Sequence, residues 1–185
     1  MSLQTIAKKI PDYVSDLREN FEQLLVNPVD DGLSQEQRCA VALALCYHLR
    51  NEVLINGFRN EAKMCLEEAN VADIRAAAIM ITRNNLFYRV VTTATYPELT
   101  KQMINLDEKA LSNTNMDKIT LMMAILAVSM ANNCHKCIYY YTDKLVARGV
   151  SLQSITSIAR IMAVLSTTAN ALEIDSLRAY DYGSW

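Results

Sequence analysis

The chain has 185 residues, a length that fits one domain with a sizeable core, and 51% of them are hydrophobic, which excludes a disordered polymer. Only four glycines and three prolines interrupt long stretches of helix-forming residues, so a nearly all-α fold is expected. The net charge of −2 is small and interspersed, without a basic stripe for nucleic acid or an acidic tail.

The N-terminal stretch MSLQTIAKKIPDYVSDL carries charges where a secretory signal needs an apolar core, which points to a cytoplasmic protein. A first helical segment is expected over about 4–25, interrupted near Pro11, followed by a turn at VNPVDDG. Ser34 and Gln37 form a capping-box pattern that opens a stretch running to about 68. That stretch should hold two helices, divided somewhere in 51–57. Another helix is expected from Asn70 to about 91, with Asp73 in its first turn. Pro97 begins a less regular connection that ends near 115. The run ITLMMAILAVSMA (119–131) is too short to cross a bilayer and reads as a buried helix. The NNC triplet breaks it. A helix from about 135 to 147 should end at Gly149, a suitable C′ residue, and Ser151 caps the last helix, to about 177. The tail YDYGSW is expected to be loose or to dock on a neighbour through Trp185 and its tyrosines.

A faint internal echo runs through this pattern. LALCYHLRN (43–51) resembles LAVSMANNC (126–134), and AAAIMITRNN (76–85) stands the same distance from ARIMAVLSTTAN (159–170). The expected organisation is therefore a single domain of an N-terminal helical segment (1–33), two helical units (34–91 and 116–177) and a tail (178–185). In that alignment Asn51 and Leu54 stand where Cys134 and Cys137 stand.

The chemistry concentrates in NNCHKCIYYYTDKL (132–145). A Cys-x-x-Cys at a helix start faces unpaired backbone N–H groups and a partial positive charge, both of which favour thiolate over thiol. His135 and Lys136 push the same way. The spacing puts both sulfurs on one side of a turn, where one thiolate can attack a peroxide or a partner's disulfide and the other can resolve the product. Three other readings stand beside this one. Half of a zinc site lacks further ligands, since there is no second Cys-x-x-Cys and only one other histidine, His48. A c-type haem needs His where Ile138 stands. Two core thiols remain the plain structural alternative. Cys39, Cys46 and Cys65 are expected to be core residues without nearby charge, and His48 a core or interface residue. No cofactor is called for, because the thiols would be the redox centre.

Two segments in the right order, AAAIMITRNNLFYR (76–89) and AVSMANNCHKC (127–137), followed by the Gly149–Val150 break, resemble the alkyl hydroperoxidase D (AhpD) family of the carboxymuconolactone decarboxylase-like superfamily. The resemblance implies a compact all-helical subunit assembled as a homotrimer or higher homo-oligomer. It implies reduction of organic hydroperoxides in partnership with an AhpC-like peroxiredoxin, with electrons arriving from a lipoyl-bearing or other thiol donor. It further implies that Cys137 becomes the sulfenic acid and forms the mixed disulfide, and that Cys134 resolves it. Helix-dipole reasoning alone favours Cys134 as the stronger thiolate, so the two arguments differ on roles. The sequence also departs from the family where protons are handled. Met122 and Tyr141 stand where a Glu and a His form a relay, and Lys136 stands where a His often precedes the second cysteine. Direct peroxide reduction is therefore expected to be weak or to rely on His135. A non-enzymatic redox sensor or interaction protein with a regulatory disulfide is the alternative; lactone decarboxylation ranks below both.

Overall fold

A computed structural model describes residues 1–94, 96–107 and 109–178. The tail expected to dock through Trp185 lies outside the described residues. Among those residues the fold is all-α and contains no strand.

Ser2 caps α1 (Leu3–Ala7), which stops before Pro11 as the sequence predicts. After a 3₁₀ turn, α2 (Ser15–Phe21) continues into a π-helical turn, Glu22–Val26. The loop that follows is held by a buried ion pair: Arg38 donates to both carboxylate oxygens of Asp31 at 2.8 Å. The hydroxyls of Ser154 and Ser157 pin the same loop by donating to Gly32 O and Asp31 O.

Two helices form the centre. Helix α3 (Gln35–Leu49) opens with the expected Ser34–Gln37 capping box and buries every residue from 38 to 46. Helix α6 (Lys118–Ala131), capped by Asp117, is buried as continuously from 123 to 129. Helices apolar on all sides belong inside a bundle, and these two pack against each other. The amphipathic α4 (Glu52–Cys65) turns back along α3 after Arg50, which takes a left-handed φ of 60°, and Asn51, whose side chain caps it. The division therefore lies at Arg50–Asn51, and Gly57 is inside α4. It is glycine because a Cβ there would run into the buried side chain of Ile6 on α1.

Helix α5 (Glu68–Thr93) begins two residues before Asn70. Asp73 is consequently beyond the first turn, and it serves a tertiary role: its carboxylate accepts from the backbone N–H groups of Asn115 and Met116 and ties the irregular connection to the bundle. Helices α7 (His135–Val146) and α8 (Leu152–Arg178) follow, separated by Gly149 at φ +84° and the Ser151 cap. By length and composition alone α8 could cross a membrane, but it places Ile158, Ile161 and Leu165 in the shared core.

The first residues of α3 and α6, Gln35 and Lys118, are 83 positions apart, as are those of α4 and α7, Glu52 and His135, and the left-handed residues Arg50 and Asn133. The same helix–corner–helix arrangement thus occurs twice. In the first corner the capping side chain is Asn51; in the second it is Cys134.

Candidate functional site

The Cys-x-x-Cys corner is built by the end of α6. Asn133 adopts φ 52°, its N–H bonds Met130 O, and the N–H of Cys134 bonds Ser129 O at 3.1 Å. This is a Schellman closure with asparagine at the left-handed position, one of the few residues suited to it. The chain turns at once into α7 with Cys134 as N-cap, its sulfur accepting from the N–H of Cys137 at 3.4 Å. Cys134 and Cys137 are paired at disulfide distance, with Cα atoms 5.3 Å apart. The sulfur pair therefore sits on the positive end of α7, where a thiolate is stabilised once the bond is opened.

Helix α5 backs this corner. Asn85 is fully buried and lies 3.2 Å from Ser129 Oγ. The single proton of Ser129 goes to Ile125 O at 2.9 Å, so the contact is satisfied when Asn85 presents its NH₂ group. The NNLFYR segment and the NNC corner, far apart in sequence, are thus linked through Ser129, whose carbonyl accepts from the N–H of Cys134.

The two cysteines differ in access. Cys134 is 1% exposed and Cys137 5%. Cys137 forms part of the wall of a cavity of about 470 Å³. One side of that cavity is Ile81, Asn84 and Tyr88 of α5, spaced to share a helix face; Met103 of the connection and Tyr139, Tyr140 and Tyr141 of α7 complete it with Lys136. The ammonium of Lys136 lies over the Tyr88 ring, 4.5 Å from its centroid, a cation–π contact across the opening. The rings of Tyr140 and Tyr141 meet edge to face at 5.1 Å. A largely apolar, aromatic pocket with one cysteine sulfur and one cation suits an uncharged organic group with a polar reacting end.

Of the residues predicted from sequence, Cys134, Cys137 and Tyr141 come together. His135 is exposed and is not part of the cavity wall; its neighbour Lys136 is. Met122 is half-buried against the core. Sequence reasoning did not single out Tyr88, Asn84 or Met103 as lining residues. The 81–84–88 spacing was a signal for the first two, but Met103 lies in an irregular segment with no periodicity. His48 is half-buried, and its Nδ1 lies 3.2 Å from Thr82 Oγ1, whose own proton goes to Ala78 O; Nδ1 is therefore the donor. Burial, then Arg50, holds its pKa below the usual value.

The other cysteines require a correction. Cys39 and Cys46 are buried as expected, and burial pushes both thiols far up. Cys65 is only half-buried and has the carboxylates of Glu61 and Glu36 near it. Among the described residues no cluster of three or more His, Cys, Asp or Glu is placed to hold a metal ion.

Residues 97–179 match the Carboxymuconolactone decarboxylase family. A Coxiella burnetii protein named alkyl hydroperoxide reductase AhpD is 35% identical over 94% of this chain and 98% of its own length. Proteins of the same name from Bradyrhizobium sp. and Rhodospirillum centenum are 30% and 27% identical, covering 94% and 100% of this chain and 94% and 97% of their own lengths. The chain belongs to the AhpD family, within the carboxymuconolactone decarboxylase-like proteins.

Proposed function

We propose that the chain is a thiol-dependent antioxidant enzyme of alkyl hydroperoxidase type. Its Cys134/Cys137 dithiol–disulfide couple reduces organic hydroperoxides, the oxidised cysteines of an AhpC-like peroxiredoxin, or both. The observation that carries the reading is the position of Cys137, at the wall of an aromatic cavity and beside a buried partner thiol on a helix N-terminus. The relatives' shared name supports the same chemistry.

In the direct reaction the Cys137 thiolate attacks the terminal peroxide oxygen. An S–O bond forms, the O–O bond breaks and the alcohol leaves. Cys134 then attacks the Cys137 sulfur, water leaves, and the disulfide forms. Access supports this assignment, because Cys137 is part of the cavity wall and Cys134 is not; the greater pull of the helix start on Cys134 suits a resolving thiolate. With a peroxiredoxin, Cys137 forms the mixed disulfide and Cys134 releases it. A lipoyl-bearing or other thiol donor restores the dithiol. The leaving alkoxide needs a proton, and with Met122 and Tyr141 at the relay positions the direct reaction is the slower one. Lys136, at the cavity, is better placed than His135 to supply positive charge there. Exposed Ile79, Leu86 and Val90 on α5 favour self-association as a homotrimer or larger homo-oligomer in the cytoplasm.

The test is stopped-flow consumption of cumene hydroperoxide by the reduced protein, alone and with an AhpC-type peroxiredoxin and dihydrolipoamide. Slow consumption alone, fast consumption in the mixture, and loss of both in Cys134→Ser and Cys137→Ser are expected. Fast consumption alone that His135→Ala leaves intact defeats a role for His135. Absence of turnover in both formats, with an oxidation-dependent change of assembly, favours the sensor reading instead.

A further inference from the structure

Lys136 and Tyr88 come from two helices that wall the Cys137 cavity, α7 and α5, and both side chains line it. The lysine immediately precedes Cys137 in the first turn of α7, and its ammonium stands over the Tyr88 ring, 4.5 Å from the centroid. At that distance the negative face of an aromatic ring attracts a cation. A lysine head sits on a flexible four-carbon stem and is strongly hydrated, so without such an anchor it extends into water, where its field at a neighbouring sulfur is screened. Tyr88 is itself held. It is half-buried, and its ring meets that of Phe87 edge to face at 5.3 Å. The other lysine of α7, Lys144, also stands over a tyrosine ring, Tyr140 at 5.5 Å, but it does not line the cavity. The contact with Tyr88 therefore singles out the one lysine whose charge shares the cavity with the Cys137 sulfur.

We propose that Tyr88 is a positioning residue: its ring holds the Lys136 ammonium in the cavity, where that charge stands in for the proton relay missing at Met122 and Tyr141. The inference rests on the peroxidase reading above and adds the group that supports the reacting sulfur. In the oxidation step the Cys137 thiolate attacks the peroxide, the S–O bond forms and the O–O bond breaks. The negative charge passes from the sulfur to the leaving alkoxide, which takes its proton from water. A fixed cation favours the thiolate before the step and the alkoxide as it forms, with no proton carried through the protein. The face of the ring holds the ammonium and the hydroxyl does not, so phenylalanine serves at position 88 and an aliphatic residue does not.

The experiment uses the full reduced chain carrying Cys134→Ser, which leaves Cys137 as the one thiol of the couple. Initial rates of Cys137 alkylation by anionic iodoacetate and by neutral iodoacetamide are measured at one pH by peptide mapping. Their ratio cancels the thiolate fraction and reports the charge near the sulfur. Lys136→Gln should lower the iodoacetate-to-iodoacetamide ratio by about three- to tenfold, and Tyr88→Leu should lower it nearly as far although the lysine remains. Tyr88→Phe and Lys144→Gln should stay within about twofold of the parent. An unchanged ratio in Lys136→Gln or in Tyr88→Leu overturns the proposal, as does a fall in Tyr88→Phe as large as that in Tyr88→Leu. Should Tyr88→Leu not fold, Tyr88→Met, which also lacks a ring, takes its place. Oxidation of Cys137 by cumene hydroperoxide, trapped with dimedone, is followed in the same chains and should slow in the same order. Oxidation at the parent's rate in Lys136→Gln overturns the proposal even where the ratio falls. The expected ratios with no oxidation of Cys137 in any chain would uphold the placement of Lys136 by Tyr88 and defeat the peroxidase reading instead.

Discussion

Replacing Tyr141 with histidine tests whether the cavity lacks only a proton carrier. Tyr141 stands one helical turn after Cys137 and lines the same cavity, so an imidazole there would project beside the reacting sulfur. At pH 7 a phenol of ordinary pKa is ionised to about one part in a thousand, whereas about three quarters of an ordinary imidazole is the free base. The available base therefore rises by nearly three orders of magnitude. A weaker base gains less rate per molecule, and Met122 still interrupts the relay, so a gain of about tenfold to a hundredfold in direct peroxide reduction is expected. The substitution removes the edge-to-face contact with Tyr140, which costs about 1 kcal/mol, too little to unfold the domain. The assay is single-turnover oxidation of the reduced protein by cumene hydroperoxide, followed by alkylation of the remaining thiols at a series of pH values. The variant should react faster and acquire an inflection near pH ~6.5 that the parent lacks. A rate within about twofold of the parent at every pH, with the Cys134–Cys137 disulfide still formed, would refute the reasoning.

Three further outcomes concern the scaffold. Arg38→Leu leaves the Asp31 carboxylate buried without its partner and should lower stability in urea unfolding by about 3 kcal/mol, because the two 2.8 Å bonds cannot be replaced by water. Stability should fall in two stages on acidification. His48 is held below its ordinary 6.5, so the unfolded chain takes up its proton first and stability declines as pH drops below that value; His48→Gln should flatten this stage. At Asp31 burial raises the pKa, but hydrogen bonding and charge from Arg38 win and leave it lowered. Its contribution is therefore complete above 3.8 and is lost as pH falls through the lower folded value. Asn133→Val should cost about 1–2 kcal/mol at φ 52° and loosen the Cys134 corner, whereas Asn133→Gly should be tolerated; thermal unfolding and the midpoint potential of the cysteine couple measure both effects.

Local signals were readable from the residues alone. The Ser34–Gln37 box, the Asn132–Asn133 break, Gly149 and the Ser151 cap each satisfy backbone groups within a few positions, so neighbouring residue types suffice to place them. Tertiary reasons were not readable. Gly57 is set by the approach of Ile6, and Asp73 by amides more than forty positions ahead. The Cys-x-x-Cys was plain in the sequence, but part of its cavity wall comes from α5 and from Met103, which only packing brings into place. His135 and Lys136 are adjacent, and a step of one residue turns a helical side chain through about a quarter of a circle or more. That step exposes the histidine and leaves the lysine at the cavity.

The central claim is that Cys134 and Cys137 form the redox couple and that Cys137 meets the oxidant. Its most direct measurement is a peptide map of the reduced protein after one equivalent of cumene hydroperoxide, with dimedone present for the single-cysteine variants. The account predicts a Cys134–Cys137 disulfide in the parent chain, a dimedone adduct on Cys137 in Cys134→Ser, and little or none on Cys134 in Cys137→Ser. An adduct confined to Cys134 would reverse the assigned roles, and both thiols remaining fully alkylated in the parent, alone and with an oxidised peroxiredoxin, would contradict the account.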